Sequence, residues 1–310
     1  LIVEVDEVGS AQEGTQIGGV SVCERTFSQV EMLLGTLVRV SVRADNRAQA
    51  DAALDAAFDE LRLIHALMSF HRHDSDVSRL NRASAAEPTA VNFRTVEVLR
   101  IAQHLSELSR GHFDITVAPD LVSRGHLPPP AGNSRPDEKA RWRDIELLSD
   151  EAVVLHKRLW LDLGGIAKGY AVDRATGACL DNGASACIVE AGGDMRVTAG
   201  ISAAVRLSVP GADHTTVPLV ELTDGSLASS QGLPAAVLVG NKQSGPHFNG
   251  VTRKVLDPMD FVTVLAEECV AADALTKVVM SLRADAAPVL AAYSASALIH
   301  HPNSGWSELT

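Results

Sequence analysis

Leu161-Asp162-Leu163-Gly164-Gly165-Ile166-Ala167-Lys168-Gly169-Tyr170-Ala171-Val172-Asp173-Arg174 is the stretch on which the reading of the fold turns. Its apolar start predicts a short strand, the paired glycines a turn, and the spacing beyond them an amphipathic helix. A chain that turns through glycines into a helix aims unpaired backbone N–H groups at one point, a geometry suited to phosphate. Lys168 falls in the first helical turn, where the helix dipole disfavours a cation. A lysine in that position suggests that an anion lies between the two. The segment matches neither GxxxxGK[ST] nor GxGxxG. A plain strand–helix junction carrying a solvated lysine fits it too.

With 46% hydrophobic residues among 310, the chain is long enough to bury a sizeable core, as one large domain or two lobes. Aromatic residues make up only 4%, so that core must rest on Val, Leu, Ile and Ala. The formal net charge of -12 excludes the basic surface that nucleic-acid binding requires and disfavours an anionic membrane surface. Cys23, Cys179, Cys187 and Cys269 form no CxxC pair, which removes a zinc ribbon or a dithiol redox motif. No apolar run reaches the roughly 18 residues of a membrane span. The chain begins at Leu1 rather than Met, and any export leader or lipid anchor is expected ahead of that position.

Residues 1–26 mix Gly, Ser, Glu and Gln without period and predict a loosely ordered lead-in, with residues 27–310 left as one large domain or two lobes. From Phe27 to Val42 the pattern is strand-like, with Leu37, Arg39 and Ser41 alternating against Val38, Val40 and Val42. Leu54, Phe58, Leu61, His65 and Met68 share one face of a long helix capped by Asp45 or Asn46. A second helix over about 94–110 turns Val98, Ile101, Ala102, Leu105 and Leu108 inward and stops at Gly111. The stretch between these helices, residues 68–82, is too polar for core and too patterned for a linker. Residues 124–141, with three consecutive prolines and Gly132-Asn133-Ser134, predict an exposed loop. Strands are expected at 186–189 and 196–198 around Gly192-Gly193-Asp194, and then near 203–209, 217–222 and 235–239. A strand at 262–265 leads into a last helix over about 270–283.

Asp273 and Lys277 leave one face of that last helix, with Thr276 beside them, while Ala274, Leu275, Val278 and Leu282 form its apolar face. A carboxylate, a hydroxyl and backbone carbonyls are the hard oxygen donors that Mg²⁺ or Ca²⁺ takes. An Asp–Lys pair on a solvated face has the same spacing, and spacing alone favours it. His71, His73, Asp74 and Asp76 offer a zinc-like set without a third histidine at diagnostic spacing, so a polar connector is the commoner outcome. Asp114 suits a turn cap, and no Gly-x-Ser-x-Gly elbow supports a serine hydrolase.

Taken in order, MSFHRHDSDVSRLNR, FDITVAP, LDLGGIAKGYAVDRA, IVEAGGDMRV, SLASS, KVLDP and VTVLAEECVAADALTKVVM resemble the ApbE family of FAD:protein FMN transferases over residues 30–283. The resemblance implies an α+β fold, with mixed or antiparallel sheets packed against helices and an FAD cleft between two lobes. It implies Mg²⁺-dependent transfer of FMN from FAD to a Ser or Thr of an acceptor protein, with release of AMP. By resemblance, Gly165, Asp273 and Thr276 would hold the metal, and Lys168 would meet the FAD phosphates. Leu34, Phe70, His71, Arg72, Asp114, Gly165 and Ser230 would lie against the cofactor, with Asp273, Lys168 and Lys254 as catalytic positions. It also implies a site of action in the periplasm or on the outer face of the cytoplasmic membrane, the alternative being the cytoplasm.

The chain departs from the family pattern at several of these positions. Lys254 stands where a His is common, and Met259-Asp260-Phe261 replaces Arg-Thr-Gly. Lys277 holds the place of a metal-binding Thr, and an ammonium has no lone pair to offer a metal. His71 replaces an aromatic residue, and Leu34-Gly35-Thr36 replaces Met-Gly-Thr. These changes leave two rivals to transfer: an FAD-binding protein without transferase activity, and an FAD pyrophosphatase that uses water instead of an acceptor hydroxyl.

Overall fold

The alternation at residues 37–42 resolves into a hairpin. A computed structural model, describing residues 3–7, 25–132, 135–207, 209, 217–232, 237–239 and 242–310, places β1 at Val3–Glu7, β2 at Arg25–Leu33 and β3 at Thr36–Ala44. Val38, Val40 and Val42 are fully buried while Leu37 is exposed, as period-2 side-chain direction requires. Leu34 and Gly35 both have positive φ, the combination that lets a two-residue turn match the strand twist. Residues 3–7, expected within a loose lead-in, instead pair with a later strand. Cys23, most of that lead-in, Asn133, Ser134 and positions 208, 235 and 236 of the expected strands lie outside the described residues.

Helix α1 (Arg47–Met68) begins at Asn46, whose side chain accepts the N–H of Gln49. Leu54, Phe58, Leu61, Ile64 and Met68 are buried along it, and His65 is half-buried at the margin of that stripe. The polar stretch that follows folds into α2 (Asp76–Arg82) around a buried carboxylate. Asp76 Oδ2 accepts the Asn92 N–H and the Thr95 hydroxyl, both at 2.7 Å, and Oδ1 pairs with Arg79. His71, His73 and Asp74 are exposed. Among the described residues no three His, Cys, Asp or Glu side chains converge in a way that could hold a metal, so the zinc reading finds no support.

Next come β4 (Pro88–Ala90), α3 (Phe93–Leu108) and α4 (Ala118–Ser123). Helix α3 ends where Arg110 and Gly111 take positive φ and the Gly111 N–H reaches the Ser106 carbonyl. Its inward face includes Val96 and Leu99, whereas the expected Leu108 is not buried, with 37% of its surface exposed. The remaining elements are β5 (Ile145–Ser149), β6 (Ala152–Leu155), α5 (Ala167–Asp181), β7 (Ala186–Ala191), β8 (Asp194–Val197), β9 (Ala203–Leu207) and β10 (Leu219–Leu222). After these come β11 (Gly225–Gln231), β12 (Val237–Val239), β13 (Lys242–Ser244), β14 (Phe261–Ala266), α6 (Cys269–Leu282), α7 (Ala287–Ala292), β15 (Ser296–His301) and β16 (Gly305–Leu309).

An antiparallel sheet in the order β16-β15-β14-β11-β8-β7-β3-β2 forms the spine. Strand alternation divides its side chains between two cores. Val40, Val42, Val189, Val262 and Val264 join the core built with helices α1, α5 and α6, which pack in that sequence. Ile188, Met195, Val197, Leu227 and Phe261 join a second core with Val205 and Leu207 of β9, in the small sheet β1-β9-β10. Strand β7 is therefore buried on both faces, which explains its nearly unbroken apolar run.

The expected strand at 161–163 is not one. Leu159, Leu161 and Leu163 are buried, but no strand pairs with them. The Asn81 side chain serves as the partner: its Oδ1 accepts the Leu161 N–H at 2.8 Å, and its Nδ2 donates to the Leu161 carbonyl at 3.0 Å. The Asp162 N–H donates to the Ile115 carbonyl at 2.8 Å. The apolar pattern marked burial correctly, but a side-chain amide meets the backbone groups that a neighbouring strand would otherwise pair.

Candidate active site

Helices α5 and α6 approach so closely that a Cβ at Gly169 would lie 2.3 Å from the Cys269 carbonyl oxygen and 2.9 Å from Asp273 Cβ. Their N-terminal ends exchange carboxylates. Asp173 of α5 accepts the N–H groups of Cys269 and Val270 at 2.9 and 2.7 Å, capping α6. In return Asp273 Oδ2 of α6 accepts the Gly169 N–H at 3.2 Å, in the first turn of α5. The N-terminus that the sequence offered to a phosphate thus already holds an anion from its own chain.

Two lysines pair with buried carboxylates here, Asp194 of β8 and Asp273 of α6. Lys168 Nζ donates to Asp194 Oδ2 at 2.5 Å. Lys277 Nζ donates to Asp273 Oδ1 and, at 3.1 Å, to the Asp273 carbonyl. Asp273 and Asp194 are wholly buried, so the face of α6 expected to be solvated is instead interior. Burial opposes the Asp273 charge, but Lys277 and Lys168 outweigh it and hold the carboxyl below its usual range. Asp194 goes the other way. Burial and the nearby Asp273 charge push it up to about 6 against the pull of Lys168. Burial also works against the Lys168 charge, yet Asp194 and Asp273 raise its value above that of an ordinary lysine.

Two cavities adjoin this cluster. One, about 400 Å³, is lined by His112, Asp114, Asp162, Gly165, His247 and Lys277 among others. The other, about 410 Å³, is lined by Leu34, Phe70, His71, Arg72, Asp162 and Lys168 among others. Leu127, Asp162 and Gly164 line both, so the Gly164–Gly165 turn sits at their junction. Such paired concavities, largely apolar with a few charged groups at the centre, suit an elongated ligand with a charged middle.

The structure brings Leu34, Phe70, His71, Arg72 and Lys168 to one cavity, and Asp114 and Gly165 to the other. The Asp114 carboxylate is already occupied. Its Oδ1 accepts the N–H and hydroxyl of Thr116, and its Oδ2 pairs with Arg253 at 2.9 Å, so it fills the turn-capping role as well. Ser230 lies behind the site, its buried hydroxyl 2.8 Å from that of Thr276. The Thr276 hydroxyl donates to the Asp273 carbonyl at 2.6 Å, so Ser230 is the donor between the two. Lys254 is exposed at the end of the hairpin formed by 247–256, and it lines neither cavity.

Sequence reasoning overlooked Asp162, Asp194 and His247 as site residues. Burial drives the Asp162 carboxyl above its ordinary range, against the Gly164 N–H that favours its charge. Burial and the Lys277 charge push the His247 imidazole down to about 3, leaving it neutral. None of the three carries a periodic signal. Only the presence of Asp162 and Asp194 within glycine-paired turns marked them out.

The donor set expected for a divalent metal does not stand open. Mg²⁺ takes oxygen lone pairs, yet both Asp273 carboxylate oxygens already accept hydrogen bonds, as does its carbonyl. The Lys277 stem packs on Gly165, where a Cβ would lie 3.4 Å from Lys277 Cε. An ammonium therefore stands between the glycine turn and Asp273, and the residues present do not fit a resident divalent ion.

The model of the ApbE family matches residues 34–299. The chain belongs to the ApbE family. An FAD:protein FMN transferase of Vibrio cholerae is 32% identical over 163 residues, 49% of this chain and 49% of that relative. The chain spans about half the length of the curated relatives it matches. Over the whole fold, the apo flavinyl transferase ApbE of Pseudomonas stutzeri superposes with a TM-score of 0.78 at 19% identity, covering 93% of this chain and 95% of that one. The ApbE protein of Thermotoga maritima also gives 0.78, at 24% identity, covering 92% and 97%. The α+β architecture is thus that of the ApbE family.

Proposed function

We propose that this protein binds FAD across the two adjoining cavities and transfers its FMN half to a Ser or Thr hydroxyl of an acceptor protein. The observation that carries the reading is the junction itself. Two half-buried lysines and a glycine turn lie where two cavities meet, as a dinucleotide with a charged diphosphate between two ring systems requires. The name borne by the relatives, FAD:protein FMN transferase, supports the same reaction.

In the proposed step, the acceptor oxygen forms a bond to the FMN phosphorus. The bond from that phosphorus to the bridging oxygen breaks, AMP leaves with the electron pair, and the hydroxyl proton passes to solvent. Such transfer depends on positioning and charge neutralisation more than on covalent help from the protein. Lys277 and Lys168 supply the positive charge, and the Gly164–Gly165 turn lets the diphosphate approach the backbone. Mg²⁺, which the family resemblance adds to this reaction, is given no resident site in the proposal because Lys277 engages Asp273.

One observation favours a second reading, in which FAD is bound but not transferred: Lys254, at the expected catalytic position, is exposed and lines neither cavity. Incubating the protein with FAD and a flavin-acceptor domain separates the two. A covalent FMN adduct by mass spectrometry with equimolar AMP is the expected result. Intact bound FAD without AMP in the presence of a competent acceptor would overturn transfer in favour of binding alone. AMP and free FMN without acceptor would identify hydrolysis.

A further inference from the structure

We propose that Lys277 is a built-in cation that takes the place of a divalent metal at Asp273, so that the FAD diphosphate is held without Mg²⁺. The inference rests on the reading that FAD is the ligand. Lys277 is bound as a cation at a hard-oxygen site would be. Its ammonium contacts the carboxylate and the carbonyl of one residue, Asp273, and the Asp273 carboxylate is fixed from its other side by the Gly169 N–H. The i,i+4 spacing on α6 makes the contact local, and the stem lying along Gly165 fixes its direction.

Gly165 takes part in this exchange. A Cβ there would already touch the Lys277 stem, at 3.4 Å, so the lysine lies directly against the turn. An ammonium has three donors, and two are directed at Asp273. Lys277 also lines the cavity that Asp162, Gly164, Gly165 and His247 share. Its third N–H is the group that a phosphate oxygen in that cavity would take. The exchange has a cost, since one tethered positive charge replaces the two of a metal ion, and its gain is that the charge needs no cofactor supply.

The metal arm of the test requires no FAD. Mn²⁺ binding is followed by electron paramagnetic resonance on the full native chain and on Lys277→Thr. The native chain is expected to show no saturable Mn²⁺ site, and Lys277→Thr to gain one that Asp273→Asn in the same background removes. In the FAD arm, flavin fluorescence titrations are run in EDTA and in Mg²⁺. Native affinity should be equal in the two buffers. Lys277→Thr should lose about ten- to hundredfold in EDTA, the worth of a charge-assisted hydrogen bond, and recover in Mg²⁺. Lys277→Arg keeps a cation and should bind FAD in EDTA, which guards against a threonine variant that fails to fold. Native FAD binding abolished by EDTA and restored by Mg²⁺, or a native Mn²⁺ site lost in Asp273→Asn, would overturn the proposal. If no variant binds FAD in either buffer, the FAD reading fails, while the Mn²⁺ comparison still decides whether Lys277 holds the metal position.

Discussion

Replacing Asn81 with Ala tests whether one side chain holds the segment that forms the junction of both cavities. Asn81 is 3% exposed and Leu161 is wholly buried, so the Leu161 N–H and carbonyl have no water to fall back on when the amide is removed. A buried polar group left without a partner costs about 1–3 kcal/mol, and two are orphaned here. Allowing for partial relaxation into the space the amide leaves, the expected loss is about 3 kcal/mol. Unfolding entropy of about 2.1 cal/mol/K per residue, taken over 310 residues, amounts to about 0.65 kcal/mol/K, so the melting temperature should fall by about 5 °C. Asn81→Asp retains an acceptor for the Leu161 N–H but buries a carboxylate oxygen against the Leu161 carbonyl, so it should lose at least as much. Differential scanning fluorimetry measures both, and a flavin titration on the same samples should show weakened FAD binding because residues 162–165 lose their anchor. An Asn81→Ala protein that melts within about 1 °C of the native chain would refute the claim that the amide stands in for a strand.

Two further perturbations probe the helix contact and the charge cluster. Gly169→Ala adds a methyl 2.3 Å from the Cys269 carbonyl oxygen; overpacking of about 1–3 kcal/mol outweighs the roughly 1 kcal/mol of helix propensity that alanine brings, so urea denaturation should show a net loss, and unchanged or increased stability would contradict the close helix approach. Asp194, pushed up to about 6 chiefly by burial, lies above the unfolded value of about 3.9, so the native state binds the extra proton between those limits. Its contribution is therefore complete below about pH 4 and is lost as pH rises through about 6, by on the order of 3 kcal/mol. Measured against Asp194→Asn, the native chain should lose ground between pH 4 and pH 7, and a pH-independent difference between the two would count against this assignment.

What the sequence made legible follows from which physical patterns are local. The alternation at 37–42, the stripe of α1, the cap at Asn46, the paired glycines between β7 and β8 and the stop at Gly111 are set by neighbours within a few residues, and each is found in the structure. The missed features depend on distant partners. Leu161 and Leu163 signalled burial, but nothing near them indicated that an amide 80 residues upstream would replace a strand. Asp273 and Lys277 read as a solvated pair because charge usually faces water; α5 and β11 cover them, and helix spacing carries no information about what packs on top. His247 lies on an irregular hairpin where no period exists to be read.

The opening stretch makes the same distinction at the level of chemistry. A lysine placed against a helix dipole implied an anion, and two anions are present: Asp194 on Lys168, and Asp273 on the Gly169 N–H. Both come from the chain itself, so the groups proposed to meet phosphate are already paired in the folded chain. A diphosphate bound as proposed would share Lys168 and Lys277 with those carboxylates. Of the two carboxylates, Asp194 is the one held near its protonation point, whereas Lys277 and Lys168 keep Asp273 charged. Lys168 faces the cavity with Leu34 and Phe70, and Lys277 the cavity with Gly165 and His247, so a ligand spanning both would meet one carboxylate-paired cation in each.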